Sequence, residues 1–196
     1  MRKQQDRVVT LPSLEEIERE RNRLRYKRRY SRTLKSTIAI LIVVAAVAVL
    51  VAMLWMPVLR IYGSSMVPTL SDGQIVITVK THSFKQGDIV AFYHGNKLLI
   101  KRFIAEAGDW VNIDQDGNVS VNGEMLDEPY LTEKAYGETN IELPYQVPDN
   151  RYFLMGDNRD VSIDSRSTTV GCIADDQIVG KVVFRIWPLS EFGPVQ

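Results

Sequence analysis

Hydrophobic and polar positions divide the chain into three stretches. From Ser36 to Leu59 there are 24 consecutive residues without a charge, apolar on every side. At about 1.5 Å per residue they span about 36 Å, enough to cover a bilayer core of about 30 Å. Trp55 lies near one end, where indole rings favour the membrane interface. The pattern predicts a transmembrane helix over 36–59. A cleaved secretory signal has a shorter apolar run behind a short leader; here the run is longer and follows 35 residues, so a retained anchor is expected. Ahead of it, PSLEEIERERNRLRYKRRYSRT reads as a charged helix, with Ser13 and Glu16 in capping-box spacing. Behind it the period shortens. The runs QIVITVK, DIVAFY, KLLIKRFIA, DWVNID, NVSVNG, YFLMG and IVGKVVFRIW are strand signals, separated by Gly- and Asn-rich turns such as His94-Gly95-Asn96 and Asn122-Gly123. No βαβ alternation appears. The expected class is mainly β, an antiparallel β-sheet domain over 60–196 preceded by one N-terminal transmembrane helix, with 124–150 a loop-rich excursion from the sheet.

Charge orients this arrangement. The 24 Lys plus Arg and 24 Asp plus Glu cancel, yet residues 1–35 carry a net +7 and the remainder −7. Arg28, Arg29, Arg32 and Lys35 flank the apolar run on its N-terminal side, against Arg60 alone on the other. The positive-inside rule then makes 1–35 a cytosolic basic helical segment at the plasma membrane and places 60–196 outside. The basic end would lie against anionic phospholipid headgroups. Beside a membrane anchor, the arginines give no reason to expect nucleic acid. One cysteine, Cys172, excludes an intramolecular disulfide, and with two histidines it makes no His/Cys metal cage; no metal and no cofactor are expected. Cys172 reads as a small buried residue, and nothing fixes the oligomeric state.

Three segments could carry chemistry. Gly63-Ser64-Ser65-Met66-Val67-Pro68-Thr69-Leu70 holds serines in a turn that Pro68 constrains, although serine in a Gly/Pro turn is commonly turn chemistry alone. In LLIKRFIA, strand alternation puts Leu99, Lys101 and Phe103 on one face and Ile100, Arg102 and Ile104 on the other. The ordinary account of Lys101 is a snorkelling strand-edge lysine; among apolar neighbours it would instead become a general base. A serine needs such a base. His82 and His94 both lie in turn-like surroundings and no G-x-S-x-G elbow exists, which favours the lysine. In water only about one lysine in 2,500 is neutral at pH 7, and lowering the pKa to about 7.5 needs about 4 kcal/mol against the ammonium. The surroundings of Lys101 must therefore be dry. Third, Gly156-Asp157-Asn158-Arg159-Asp160-Val161-Ser162-Ile163-Asp164-Ser165-Arg166 follows an apolar strand and mixes acids, arginines and serines as a hydrogen-bonded scaffold would.

Together, the anchor, Ser65-Met66-Val67-Pro68-Thr69-Leu70, Gly87-Asp88-Ile89-Val90, Ile100-Lys101-Arg102, Ala107-Gly108-Asp109 and the 156–166 segment resemble the bacterial type I signal peptidases, in particular their Gram-positive branch. The resemblance implies a membrane-anchored serine endopeptidase that removes signal peptides from exported pre-proteins at Ala-x-Ala-like sites. It makes Ser65 the nucleophile, Lys101 its general base and Ser162 the group that orients the lysine. Asp164 would pair with Arg102 and Arg166 behind the site, and Asp157 would brace the loop. Met66, Ile61, Leu70 and Ile100 would line shallow pockets for small side chains one and three residues before the scissile bond. Some members carry an oxyanion-binding serine two residues before the nucleophile; here that position is Gly63, so the second oxyanion donor is unassigned.

Two other readings remain at this point. A self-cleaving repressor-type protease uses a similar serine and lysine but requires a DNA-binding domain where this chain has a membrane helix. A membrane-anchored non-catalytic β domain that binds exported proteins would leave Ser65 and Lys101 as ordinary turn and strand residues.

Overall fold

The computed structural model describes residues 13–195. Residues 1–12 of the expected cytosolic segment lie outside the described residues. A single α-helix, α1 (Leu14–Trp55), covers both the charged tract and most of the apolar run. Its start is the expected capping box: the Ser13 N–H donates to the Glu16 carboxylate (2.9 Å) and the Glu16 N–H to Ser13 Oγ (3.3 Å). The helix is long and apolar enough to cross a membrane. It ends earlier than the uncharged run. Pro57 has no N–H and disfavours helical geometry at Met56, so the last helical hydrogen bond is Met56 N–H to Ala52 C=O. The span 36–59 is corrected accordingly, since Val58 and Leu59 belong to a strand.

The chain divides into two compact units, Met1–Val51 and Ala52–Gln196. The second is antiparallel β. Its strands are β1 (Val58–Arg60), β2 (Ile75–Val79), β3 (Ile89–His94), β4 (Lys97–Ala105), β5 (Trp110–Ile113), β6 (Val119–Val121), β7 (Glu124–Met125), β8 (Tyr145–Gln146), β9 (Arg151–Met155), β10 (Ile173–Ala174), β11 (Ile178–Trp187) and β12 (Gly193–Pro194). Every apolar run singled out in the sequence is a strand. The larger sheet has the order β1-β2-β11-β3-β4-β9-β10, with β12 paired to β11; the smaller has the order β7-β6-β5-β8. The β6–β7 turn places Asn122 and Gly123 at φ 54° and 85°, the left-handed pair that a two-residue hairpin needs.

Strand alternation in β4 distributes its apolar side chains as expected. Leu99 and Phe103 pack with Val90, Phe92, Leu154 and Ile173. On the opposite face, Ile100 packs against Ile61, Met66, Leu70 and Ala91, and Ile104 joins Val111, Val119 and Phe153. The excursion 124–150 is mostly irregular, but it covers the core rather than leaving it: Leu126, Tyr136, Ile141, Leu143 and Tyr145 pack against the cluster around Val111 and Phe153.

Candidate active site

Ser65 is half-buried in the short turn between β1 and β2, which a Leu70 N–H to Met66 C=O hydrogen bond closes (2.8 Å). Lys101 sits mid-β4 with only 3% of its surface exposed. Its Nζ donates to Ser162 Oγ at 2.9 Å. Burial drives the Lys101 pKa down from 10.5 to about 8; Asp164 and Asp157 oppose the shift and Arg166 adds to it. The dry surroundings that the sequence argument required are present.

One loop, between β9 and β10, reaches both residues. Its Asn158 N–H donates to the Ser65 carbonyl (3.0 Å), while Ser162, anchored by its own N–H to the Asn158 carbonyl (3.0 Å), holds the lysine. Gly156 lies where these groups converge. A Cβ there would collide with Ser162 Oγ and would come within 2.6 Å of the Ser65 carbonyl oxygen, so only glycine fits. The hydrogen bonds among the described residues do not include one between Ser65 Oγ and Lys101 Nζ; the loop brings the two together through the Ser65 backbone and the Ser162 hydroxyl.

Behind the loop are buried ion pairs. Arg166 forks onto Asp164 (Nε–Oδ1 2.9 Å, Nη2–Oδ2 3.0 Å), and the Gly156 N–H donates to the same carboxylate (2.9 Å). Burial alone would raise the Asp164 pKa, yet hydrogen bonds and charge from Arg166, helped by Gly156 and Ser162, hold it below the usual carboxylate range. The expected Asp164–Arg102 pair does not form. Arg102 instead forks onto Asp157 (Nε–Oδ1 2.8 Å, Nη2–Oδ2 2.6 Å). Register explains this: Arg102 points to the face opposite Lys101 and lies across from Met155, two residues before Asp157.

A cleft of about 530 Å³ opens beside Ser65, between Val58–Met66 on one side and Lys97–Ile100 on the other. Three strands separate β1 from β4 in the sheet order, so the sheet curls to bring these edges opposite each other. Among the described residues both edges are free there, because β1 pairs with β2 alone and β9 pairs with β4 from Arg102 to Ala105. Met66, Ile61 and Ile100 line the cleft. Leu70 does not; it is fully buried in the core cluster below Ile61 and Met66.

Several residues at the site had no assigned role in the sequence. Thr69 Oγ1 donates to Asp157 (2.5 Å) and accepts from Arg102 (3.2 Å). Glu128, from the excursion, is buried against Arg159 (2.5 Å) and accepts the Tyr130 hydroxyl (3.0 Å), while the Tyr130 ring covers the Arg102 guanidinium at 3.7 Å. Arg159 and Thr69 lay inside segments already singled out, but an isolated Glu-Pro-Tyr in an irregular stretch carries no periodic signal. His82 pairs with Asp175 (2.9 Å), and the third member of that cluster is the Tyr152 hydroxyl rather than a serine. Cys172 is buried as expected, and burial pushes its thiol pKa up to about 11.

Comparison with known proteins adds a family match, two relatives and a solved structure. Residues 33–187 match the family described as signal peptidase, peptidase S26. The chain is 42% identical to signal peptidase IB of Staphylococcus aureus over 153 residues, covering 67% of this chain and 78% of that protein. It is 38% identical to signal peptidase I T of Bacillus subtilis over 151 residues, covering 70% and 77%. A crystal structure of a signal peptidase I from Enterococcus faecalis aligns with half of this chain and 96% of that one, at 27% identity and a TM-score of 0.44.

Proposed function

The chain belongs to the signal peptidase family, peptidase S26, and on that premise we propose that Ser65 and Lys101 are the nucleophile and general base of a membrane-anchored serine endopeptidase that cleaves signal peptides at Ala-x-Ala-like sites. Removal of signal peptides from exported pre-proteins is the family's activity. The observation that carries the assignment is the loop 156–162, which grips the Ser65 carbonyl with one residue and the Lys101 amine with another.

The chemistry follows from that geometry. With a pKa of about 8, about one Lys101 in ten is neutral at pH 7, about 250 times the fraction in water. The neutral amine donates one N–H to Ser162 Oγ, which restricts the direction of its single lone pair. That lone pair takes the Ser65 hydroxyl proton as Oγ bonds to the scissile carbonyl carbon, and the carbonyl oxygen takes up the negative charge. The Ser65 backbone N–H supplies one oxyanion donor. On collapse, the C–N bond breaks and the Lys101 ammonium protonates the departing amine. A water molecule deprotonated by the same lysine then hydrolyses the acyl-enzyme and regenerates Ser65.

Substrate binding uses the two free edges. A precursor segment entering the cleft adds a strand between β1 and β4, so main-chain hydrogen bonds set its register and the apolar floor at Met66, Ile61 and Ile100 admits small side chains. The anchor keeps the site on the membrane to which the precursor's own apolar segment is bound, which raises effective concentration. The excess of positive charge before the apolar run supports an N-terminus in the cytosol and a site outside.

The test is incubation of the full-length protein, in detergent, with a purified pre-protein, followed by N-terminal sequencing of the products. Cleavage after an Ala-x-Ala-like site, lost in Ser65→Ala and in Lys101→Ala while both variants still insert into membranes, is the expected result. Turnover retained by Lys101→Ala contradicts the dyad, and binding without cutting makes the chain a non-catalytic module.

A further inference from the structure

The floor and the rim of the cleft differ in character. Along the chain from β1 to the serine turn, Leu59 and Ile61 turn inward to pack with Ile100, while Val58, Arg60 and Tyr62 are exposed. On β4, Lys97 and Leu99 share the face of Lys101, opposite Ile100. The rim therefore carries two cations, Arg60 and Lys97, and the cleft lining contains no acidic residue. Both cations are exposed, and neither takes part in the ion pairs among the described residues. Arg60 stands over the Tyr62 ring at 5.5 Å, which keeps it at the rim.

The spacing from the reacting atoms is set by the chain. Lys97 is four residues before Lys101 within β4, about 14 Å at about 3.4 Å per residue, while Arg60 ends β1 five residues before Ser65, and the turn between them keeps it within about 17 Å, the reach of an extended chain. A strand added between these edges alternates its side chains: those one, three and five residues before the scissile bond face the apolar floor, and those two, four and six residues before it face the rim. We propose that Arg60 and Lys97 make this cleft charge-selective, favouring precursors with a carboxylate four or six residues before the cleaved bond and disfavouring lysine or arginine there. The inference rests on the peptidase reading above and adds to it a substrate class with a definite parity. A carboxylate at the odd positions gains nothing, because it would face Leu59, Ile61 and Ile100.

The experiment compares synthetic peptides that share an Ala-x-Ala-like site and carry Gln, Glu or Lys at position three, four, five or six before the bond. They are cleaved by the full-length protein in a non-ionic detergent. For exposed pairs, kcat/KM is expected to rise about two- to fivefold for Glu over Gln at positions four and six, with Lys lower than Gln by a similar factor. The spread should collapse at 1 M salt. Glu at positions three and five should lower kcat/KM. In the Arg60→Glu/Lys97→Glu variant the Glu and Lys order at four and six should invert; because each enzyme is compared with itself on the Gln peptide, a uniform loss of activity cancels. Equal rates for Glu, Gln and Lys peptides, an order unchanged in the double variant, or the same preference at odd positions would each overturn the proposal. If the wild type cleaves none of the peptides, the Gln series included, the peptidase reading fails and this inference falls with it.

Discussion

Replacing Lys101 with Met should inactivate the protein and stabilise it. Bringing an ammonium with an ordinary pKa of 10.5 down to about 8, chiefly by burial, corresponds to about 3 kcal/mol against the folded, protonated state. Methionine fills a similar volume without that desolvation, but it leaves Ser162 Oγ without its donor, which costs about 1 kcal/mol. The net gain at pH 7 is then about 2 kcal/mol, or about 5 °C in Tm for a domain of this size. The sign follows from linkage. Below the folded pKa both states hold the proton and the penalty is full. Between about 8 and 10.5 the folded state has shed it while the unfolded state still binds it, so wild-type stability rises with pH. The advantage of Lys101→Met should therefore be largest at pH 7 and should have closed or slightly reversed by pH 10.5, where other titrations affect both proteins alike. Thermal unfolding of the two full-length proteins in one detergent at both pH values, beside pre-protein cleavage, reads out the contrast. A variant less stable than wild type at pH 7, or an advantage that persists undiminished at pH 10.5, refutes the reasoning.

With Lys101 as the proposed general base the neutral amine is the active form, so kcat/KM should climb through about pH 8 and level off above it, and a profile flat from pH 6 to 9 would contradict the base assignment. Gly156→Ala should lower kcat at least about 100-fold with little change in circular dichroism, since the added methyl displaces both Ser162 and the Ser65 carbonyl. Glu128→Ala, which leaves Arg159 buried and unpaired, should cost about 3–5 kcal/mol in urea denaturation. The double change Glu128→Leu/Arg159→Met should restore most of that stability.

The legible parts of this fold are those with local periodic signals. Uninterrupted apolarity marks the anchor, two-residue alternation marks the strands, and alternation within LLIKRFIA by itself assigns Lys101 and Arg102 to different faces. What stayed hidden depends on contacts distant in sequence. Asp157 and Asp164 are chemically equivalent in the sequence, and only the pairing of Arg102 with Met155 decides which of them meets Arg102. Val58 and Leu59 read as membrane helix because their apolarity is continuous with the run before them; Pro57 was the one local sign that the helix had to stop. Glu128 and Tyr130 lie in a stretch without period, and their role follows from contacts with Arg159 and Arg102, about 30 residues away along the chain.

The density of charge behind the site has a structural reason beyond stability, because buried ion pairs rarely outperform apolar packing. The loop from Gly156 to Arg166 must bend irregularly to present the Asn158 N–H to Ser65 and the Ser162 hydroxyl to Lys101, and its carbonyls have no regular ladder to join. The arginines supply the donors. Arg166 Nη2 serves the carbonyls of Arg159 and Ser162, Arg166 Nη1 serves Tyr136, and Arg159 Nε serves Gly156. Each arginine in turn needs a buried carboxylate, which Asp164 and Glu128 provide. This pairing also protects the chemistry. Asp164 pulls Lys101 toward the charged form, and Arg166, clamped on that carboxylate, pushes it back. Burial is therefore left as the largest influence on the amine, which holds its proton loosely, as the proposed exchange with Ser65 requires.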